Sequence, residues 1–410
     1  MGKGFNIGID RETPLKLLFL VTEDWYFASH RLQLARAARD AGAEVVVMTH
    51  FTHLHPILVK EGLKVIPWQL SRRSLNPLRE LNAFFQVMKV YRRERPDLLH
   101  HIALKPIIYG GCAARLLGGI PSVNAIAGMG HVFMSPTWQM RLLRLVLLAL
   151  LRLALGNENA RAVFQNEENR AFLLREGVAR LHTTDIIRGT GVNVKQFFPH
   201  PEPSGSPVVL LASRMLWEKG IGEFVEAARK LRERNVRARL VLVGKPDPEN
   251  PGSITETQLH AWASSGLVEW WGHQDDMVKI LTEANIVCLP SYYGEGVPRV
   301  LIEAAACGRA IVATDAPGCR DIVRNGQNGL LVPLHNSEAL AQALETLISD
   351  PALRSHLGAC GREIAVREFS EETVLAQMMA IYQRLLGSLW PAKNPGACIG
   401  EDIASVSTAL

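Results

Sequence analysis

The sequence predicts an α/β protein built from two doubly wound parallel sheets. Three observations carry that expectation. Short apolar runs alternate with segments of helical apolar spacing almost throughout the chain, which is the pattern of repeated βαβ units. The alternation lapses once, from Gly189 to Ser206, in a stretch rich in Pro, Gly and Ser, and restarts at Val208. A chain of 410 residues is also too long for a single core.

In the first half, Leu15–Val21 is a continuous apolar run and the first expected strand. The loop EDWYFASHR follows, then a helix over Leu32–Ala41 that Gly42 closes, and a strand over Glu44–Met48. The spacing then predicts strand Lys64–Ile66, helix Asn76–Arg93, strand Asp97–His101, a helix near Lys105–Leu117 and strand Pro121–Ile126. A helix over 138–155, strand Ala162–Phe164 and helix Glu167–Glu176 complete this half. Beyond the linker come strand Val208–Ala212, helix 219–234, strand Arg239–Val243, a helix near Thr255–Ser264 and strand Val268–Trp271. Helix 275–283 leads to a buried strand over Ala284–Pro290, a glycine loop and a helix over Pro298–Cys307. Strand Ala310–Ala313, helix Ser337–Ser349 and a last helix over Phe369–Leu386 follow. The domain boundaries expected are a leader at 1–14, a first domain at 15–200, a second at 201–367, a helix at 368–387 and a loose tail at 388–410.

Composition is that of an ordinary globular protein, 48% apolar and 21% charged. The net charge of +5 is unevenly spread. Residues 1–200 hold 26 Lys+Arg against 15 Asp+Glu, while residues 201–410 hold 19 against 25. A basic half beside an acidic half suggests an anionic partner for the first domain. Nucleic acid is the poorer candidate, because the basic half shows no aromatic platform or recognition motif. The six cysteines show no C-x-x-C pairing and several sit in apolar segments, which fits reduced thiols in a cytosolic protein. The N-terminus has no apolar core of a signal peptide. The apolar stretch Leu142–Leu155 is broken by Arg144 and Arg152 and is too short to span a bilayer.

The chemistry concentrates at SYYGEGVPRVLIE, residues 291–303. A strand, a loop with Gly294 and Gly296, and a helix start with Pro298 make an anion site, because free amides and the helix dipole point at the ligand. Glu295 and Glu303 frame it. Two acids add nothing to a phosphate cradle, but they accept hydrogen bonds from the hydroxyls of a sugar nucleotide. At the start of the second domain, Arg214 follows a strand and Lys219 opens a helix, at the sheet edge where open α/β folds bind ligands. Fixed cations there stabilise a departing diphosphate.

The E-x7-E pair, with EGVPRVLIEAAACGRAIVATDAPGCRDIV around it and R-x4-K-G upstream, resembles retaining glycosyltransferase family 4 over nearly all of residues 15–387. The resemblance implies two Rossmann-like domains facing across a cleft (the GT-B arrangement), the last helix crossing back to the first domain, and transfer with retention from a nucleotide sugar. In that family the first Glu contacts the hexose, the second binds the ribose, and the amides between (here Gly294, Gly296, Val297 and Pro298 form that segment) hold the diphosphate with the Arg and Lys. The implied donor is a UDP-sugar and the implied acceptor an undecaprenyl-diphosphate-linked sugar in bacterial surface polysaccharide assembly. No cofactor is expected beyond the donor substrate. No D-x-D motif or metal-spaced cluster occurs, so a metal-independent reaction is expected.

Other positions fall to the acceptor side. Glu23, Asp24, His30 and Arg31 follow the first strand, where Arg31 suits an acceptor phosphate. Gly128, Gly130 and His131 lie in GMGHVF, which lacks the third glycine and the later acid of a dinucleotide site. Ala127 stands where relatives carry a hexose-contacting histidine. His101 (the candidate catalytic histidine) and His131 are substitutes by position, with a core or surface role the alternative for each. The helix at 138–155 either packs as a core helix or lays its apolar face on an anionic bilayer with Arg141, Arg144 and Arg152 at the headgroups, which would make the protein cytoplasmic and peripheral to the membrane. Two rival functions are a non-catalytic nucleotide-sugar-binding subunit and a GT-B-like sugar-nucleotide epimerase.

Overall fold

The computed structural model describes residues 14–52, 54–70, 76–129, 133, 137–248, 250–292 and 296–391. The first half contains β1 (Lys16–Glu23), α1 (Asp24–His30), α2 (Leu32–Asp40), β2 (Glu44–His50), α3 (His55–Lys60), β3 (Lys64–Pro67), α4 (Pro77–Glu94), β4 (Leu98–Ile102), α5 (Leu104–Leu116), β5 (Ser122–Ile126), α6 (Trp138–Leu155), β6 (Ala160–Phe164), α7 (Glu167–Arg175) and β7 (Thr184–Ile186). The second contains β8 (Val208–Ala212), α8 (Ile221–Glu233), β9 (Arg239–Val243), α9 (Glu256–Ser264), β10 (Glu269–Trp270), α10 (Met277–Thr282), β11 (Ile286–Leu289), α11 (Arg299–Ala306), β12 (Ala310–Thr314), α12 (Cys319–Ile322), β13 (Gly329–Val332), α13 (Ser337–Ser349), α14 (Pro351–Phe369) and α15 (Glu371–Leu386).

The strands form two sheets, with orders β3-β2-β1-β4-β5-β6-β7 and β10-β9-β8-β11-β12-β13. All pairings within them are parallel. Both are covered on two faces, which is why their strands read as apolar runs. In β1, Leu17, Phe19 and Val21 enter one core with Val45 and Val47, while Leu18 and Leu20 enter another with Met48 and Tyr91. Strand order reverses between β1 and β4 in the first sheet and between β8 and β11 in the second. Ligands of open α/β sheets bind at such switch points, outside the carboxyl ends of the strands.

The two halves are joined by paired segments. Val192 bridges Ser370, with the Val192 amide donating to Phe369 O and the Glu371 amide donating to Val192 O, both at 2.9 Å. The helix expected over 369–386 begins instead at Glu371, because Ser370 is extended and its hydroxyl caps the Thr373 amide. Val374, Met378, Ile381, Tyr382 and Leu386 of α15 then pack into the first sheet's core with Phe19 and Val45. Each large apolar side chain so buried contributes about 2 kcal/mol.

Several expectations need correction. EDWYFASHR is not a loop: it forms α1 and enters α2 through Arg31. The strand expected over Val268–Trp271 shrinks to the two residues of β10. The edge strands β7 and β13 and the helices α3 and α14 carried no signal strong enough to predict. α14 buries Arg354, Gly358 and Gly361 beside its apolar residues, so no clean stripe marks it. Gly358 lies against Gly308, whose carbonyl a Cβ would meet at 2.0 Å.

Candidate active site

The loops after β8 and β11 are tied together at the switch point of the second sheet. The Tyr292 amide and the Ser291 hydroxyl both donate to Glu218 O at 3.1 Å. A short 3-10 turn, Trp217–Lys219, ends at Gly220, which has φ +75 and packs so closely that a Cβ would sit 2.1 Å from Pro290 O. The R-x4-K-G glycine is therefore demanded by backbone conformation and by space together. Arg214 is half-exposed and pairs with Asp247 at 2.8 Å. An exposed pair of this kind is worth roughly 0–1 kcal/mol, so an entering phosphate can compete for the guanidinium.

α11 starts on Pro298, which is its N-cap residue at φ −65. Glu303 lies within this helix and is 6% exposed. Its carboxylate accepts from Arg299 Nε at 2.7 Å, an i,i+4 pair across one helical turn. Burial pushes the Glu303 carboxyl up, and Arg299 opposes that shift. Glu295, Gly294 and the Tyr293 beside them lie outside the described residues.

This loop meets the first sheet directly. The Val297 amide donates to Gln165 Oε1 at 3.0 Å, and Gly296 is so close that a Cβ would stand 2.3 Å from Ala127 O. Arg299 reaches across as well, donating through Nη1 to Ser29 O at the end of α1. Loops after β5, β6 and β11 thus converge with α1. Gly128 follows Ala127 and is half-buried there. Gly130 and His131 lie outside the described residues.

Residues of the first loop divide in their roles. Asp24 is fully buried and accepts from the amides of Trp25, Thr52, Leu54 and His55 and from the Thr52 hydroxyl. Burial pushes its carboxyl up, but these donors outweigh burial and hold it below the ordinary aspartate value. It fastens the β2–α3 connection and presents no carboxylate to a cleft. Glu23 is buried at the end of β1. His30 stacks on Tyr26 at 4.3 Å and its Nδ1 meets Ser29 Oγ at 2.6 Å. Burial, then Arg299 and Arg31, push His30 down to about 3. Arg31 is 5% exposed, and its Nε has no partner among the described residues.

His101 is a core residue, contrary to its reading as a catalytic candidate. It is fully buried, with Nε2 on Tyr91 OH at 2.9 Å and Nδ1 on Asn124 Oδ1 at 2.7 Å. Burial pushes it down to about 4. Side chains alternate along a strand, so the adjacent His100 faces the other way and meets Tyr382 OH of α15. Sequence reasoning passed over Gln165 and Arg299. The i,i+4 spacing of Arg299 and Glu303 was the available signal for one. Nothing local marks Gln165.

A cleft opens where these elements meet, lined by Ser29, His30 and Arg31 from the first half, Arg299 from the second, and Gly191 and Glu371 from the paired connections. Among the described residues no cluster of His, Cys, Asp and Glu has the makings of a metal site.

The family model described as "Glycosyl transferases group 1" matches residues 193–364, and "Glycosyl transferase 4-like" matches residues 16–166. The chain is 31% identical over 369 residues to N,N'-diacetylbacillosaminyl-diphospho-undecaprenol alpha-1,3-N-acetylgalactosaminyltransferase of Campylobacter jejuni, covering 87% of this chain and 95% of that one. It is 26% identical to the putative glycosyltransferase EpsD of Bacillus subtilis, over 90% of this chain and 96% of that one. Among solved structures, Anabaena HepE in complex with UDP and glucose superposes with a TM-score of 0.74 at 19% identity, over 90% of this chain and 99% of that one. That likeness is one of fold.

Proposed function

From the premise that the chain belongs to the group 1 glycosyltransferases, with a GT-B fold of two Rossmann-like domains, we propose that it is a retaining, metal-independent enzyme that moves a hexose or N-acetylhexosamine from a UDP-sugar. The proposed acceptor is an undecaprenyl-diphosphate-linked sugar, and the setting is the assembly of a bacterial surface polysaccharide such as O-antigen. The observation that carries this reading is the convergence at one switch point of the R-x4-K-G loop, the glycine loop and buried Glu303, pressed against the first sheet at Gln165 and Ala127. The Campylobacter relative, whose name specifies an undecaprenol-diphosphate acceptor, supports the acceptor class.

In this reading Glu303 binds the ribose hydroxyls and Glu295 the hexose. Arg214, Lys219 and the glycine loop ahead of Val297 take the diphosphate, since the Val297 amide is given to Gln165 and Pro298 has no N–H. As the glycosidic bond breaks, negative charge moves onto the leaving phosphate, and the two cations stabilise it more in the transition state than in the ground state. That is the work a divalent ion would otherwise do. His30, Arg31, Glu23 and Gly128 line the acceptor side, and Gly130 and His131 are assigned to it by sequence. The boundary between the domains falls in the linker before Val208, and α15 belongs to the acceptor domain by its packing.

We place the protein at the cytoplasmic face of the membrane. No helix among the described residues is long and apolar enough to cross a bilayer. α4, α5 and α6 pack side by side, and α6 exposes Trp138, Leu142 and Leu145 while α4 exposes Leu78 and Phe85.

The deciding experiment is transfer from a panel of UDP-, GDP- and ADP-sugars to lipid-diphosphate sugars, with and without a chelator. The expected result is turnover with one UDP-sugar, unaffected by chelation and lowered 100-fold or more by Glu295→Gln and by Glu303→Ala, the scale of losing a contact to the reacting group or its nucleotide. Tight donor binding without turnover on any acceptor would replace this reading with the binding-subunit one. An absence of binding to every nucleotide sugar would overturn both.

A further inference from the structure

Arg31 carries a charge that the described residues do not compensate. It is 5% exposed, its Nε has no partner, and no described residue forms an ion pair with its guanidinium. The groups facing it supply little negative charge. His30 and the fully buried His100 are both held neutral by burial, with Arg31 itself adding to the effect, and His100 Nε2 is also without a partner. Burial also raises the Tyr382 hydroxyl, although Arg31 opposes that shift. Arg299 is spent on Glu303 and Ser29. The Glu371 carboxyl lines the same cleft, where burial raises it against the pull of Arg299, and it forms no ion pair with Arg31. A buried guanidinium without a directly paired anion is unfavourable, so the site favours a further anionic group against it.

The surroundings specify what that group is. The cleft is lined by Leu32, Gln33 and Leu34, the first turn of α2, and no side chain caps that helix. That turn therefore borders the same cleft as Arg31. A planar fork of N–H donors beside a helix N-terminus matches the several oxygens of a phosphoryl group.

We infer that this cleft is a phosphoryl subsite, in which the oxygens of a phosphate or diphosphate seat against Arg31 and the first turn of α2 and supply a directly paired counter-charge. The ligand is either the diphosphate of the acceptor, which rests on the transferase reading above, or free phosphate, which does not.

Calorimetric titration with pyrophosphate and inorganic phosphate, at ionic strength matched with sodium chloride, tests it on the full chain. The wild type is expected to bind pyrophosphate, Arg31→Met to bind it at least 10-fold more weakly, and Arg31→Lys to fall between. In phosphate-free buffer Arg31→Met is expected to melt no lower than the wild type, since it removes an uncompensated buried charge. Equal pyrophosphate binding by wild type and Arg31→Met, or none by the wild type, overturns the inference.

Transfer kinetics then separate the sources. With a lipid-diphosphate sugar and the same sugar as its benzyl glycoside, a roughly 10-fold rise in the ratio of their KM values in Arg31→Met assigns the subsite to the acceptor. An unchanged ratio with pyrophosphate binding lost assigns it to free phosphate. If no acceptor is used at all and pyrophosphate binding is still lost in Arg31→Met, the transferase reading fails and the subsite stands.

Discussion

At the scale of single residues, burial decides which polar groups serve the fold and which are left for ligands. His101 and Asp24 sit at the sheet edge where function was expected, and both are consumed by internal hydrogen bonds. Arg31 and Glu303 are also buried, but one lacks a partner for Nε and the other depends on a single described cation. Asp24 gives a test through pH. Its folded carboxyl is held below the ordinary aspartate value, so its contribution to stability is fully present above about pH 4 and is lost as pH falls through the lower folded value. Asp24→Asn is therefore expected to cost about 2 kcal/mol at neutral pH. The gap to the wild type should narrow below pH 4 in denaturant titrations. A gap that does not depend on pH would show that the ionised carboxylate is not what fastens Thr52 and His55.

At the scale of elements, the helices around the first sheet differ in what their outer faces present. α2 and α15 are turned into a shared core. α6 buries Leu148, Leu151, Ala154 and Leu155 but leaves Trp138, Leu142 and Leu145 in solvent, alongside exposed Arg141. The core role foreseen for this helix is filled by the face that packs on α5, and the exposed face is the one proposed above to dock on a bilayer. The double substitution Leu142→Asp and Leu145→Asp is expected to leave thermal unfolding within about 1 kcal/mol of the wild type, since both side chains are exposed. It should lower co-sedimentation with phosphatidylglycerol vesicles at least 10-fold. Retained vesicle binding would remove this face from the proposed docking surface.

At the scale of the whole molecule, Gly296 marks a close contact between the two halves. A Cβ there would collide with Gln165 Oε1 and Ala127 O, one a side chain that can swing and the other backbone that cannot. Gly296→Ala is expected to wedge the halves apart, raising the radius of gyration in small-angle scattering and lowering kcat at least 10-fold with both domains folded. Misplacement by about 1 Å at a reacting centre costs on that order. An unchanged scattering profile with full activity would mean that the contact is not kept during turnover.

The sequence by itself determined the strand and helix alternation, the break near 189–206, and the E-x7-E and R-x4-K-G patterns at 295–303 and 214–220. These are local patterns: apolar period, glycine and proline placement, and fixed spacing along one chain. Edge strands such as β7, with three residues, and helices without a clean stripe, such as α14, left too little periodic signal to read. Only the tertiary structure decided which face of β4 each histidine occupies, that α1 is helical, and that Arg299 and Gln165 reach across to the other half. Those facts depend on partners far apart in the chain (Ser29 with Arg299, Gln165 with Val297), and the free energy of bringing them together is set by packing that no local window contains.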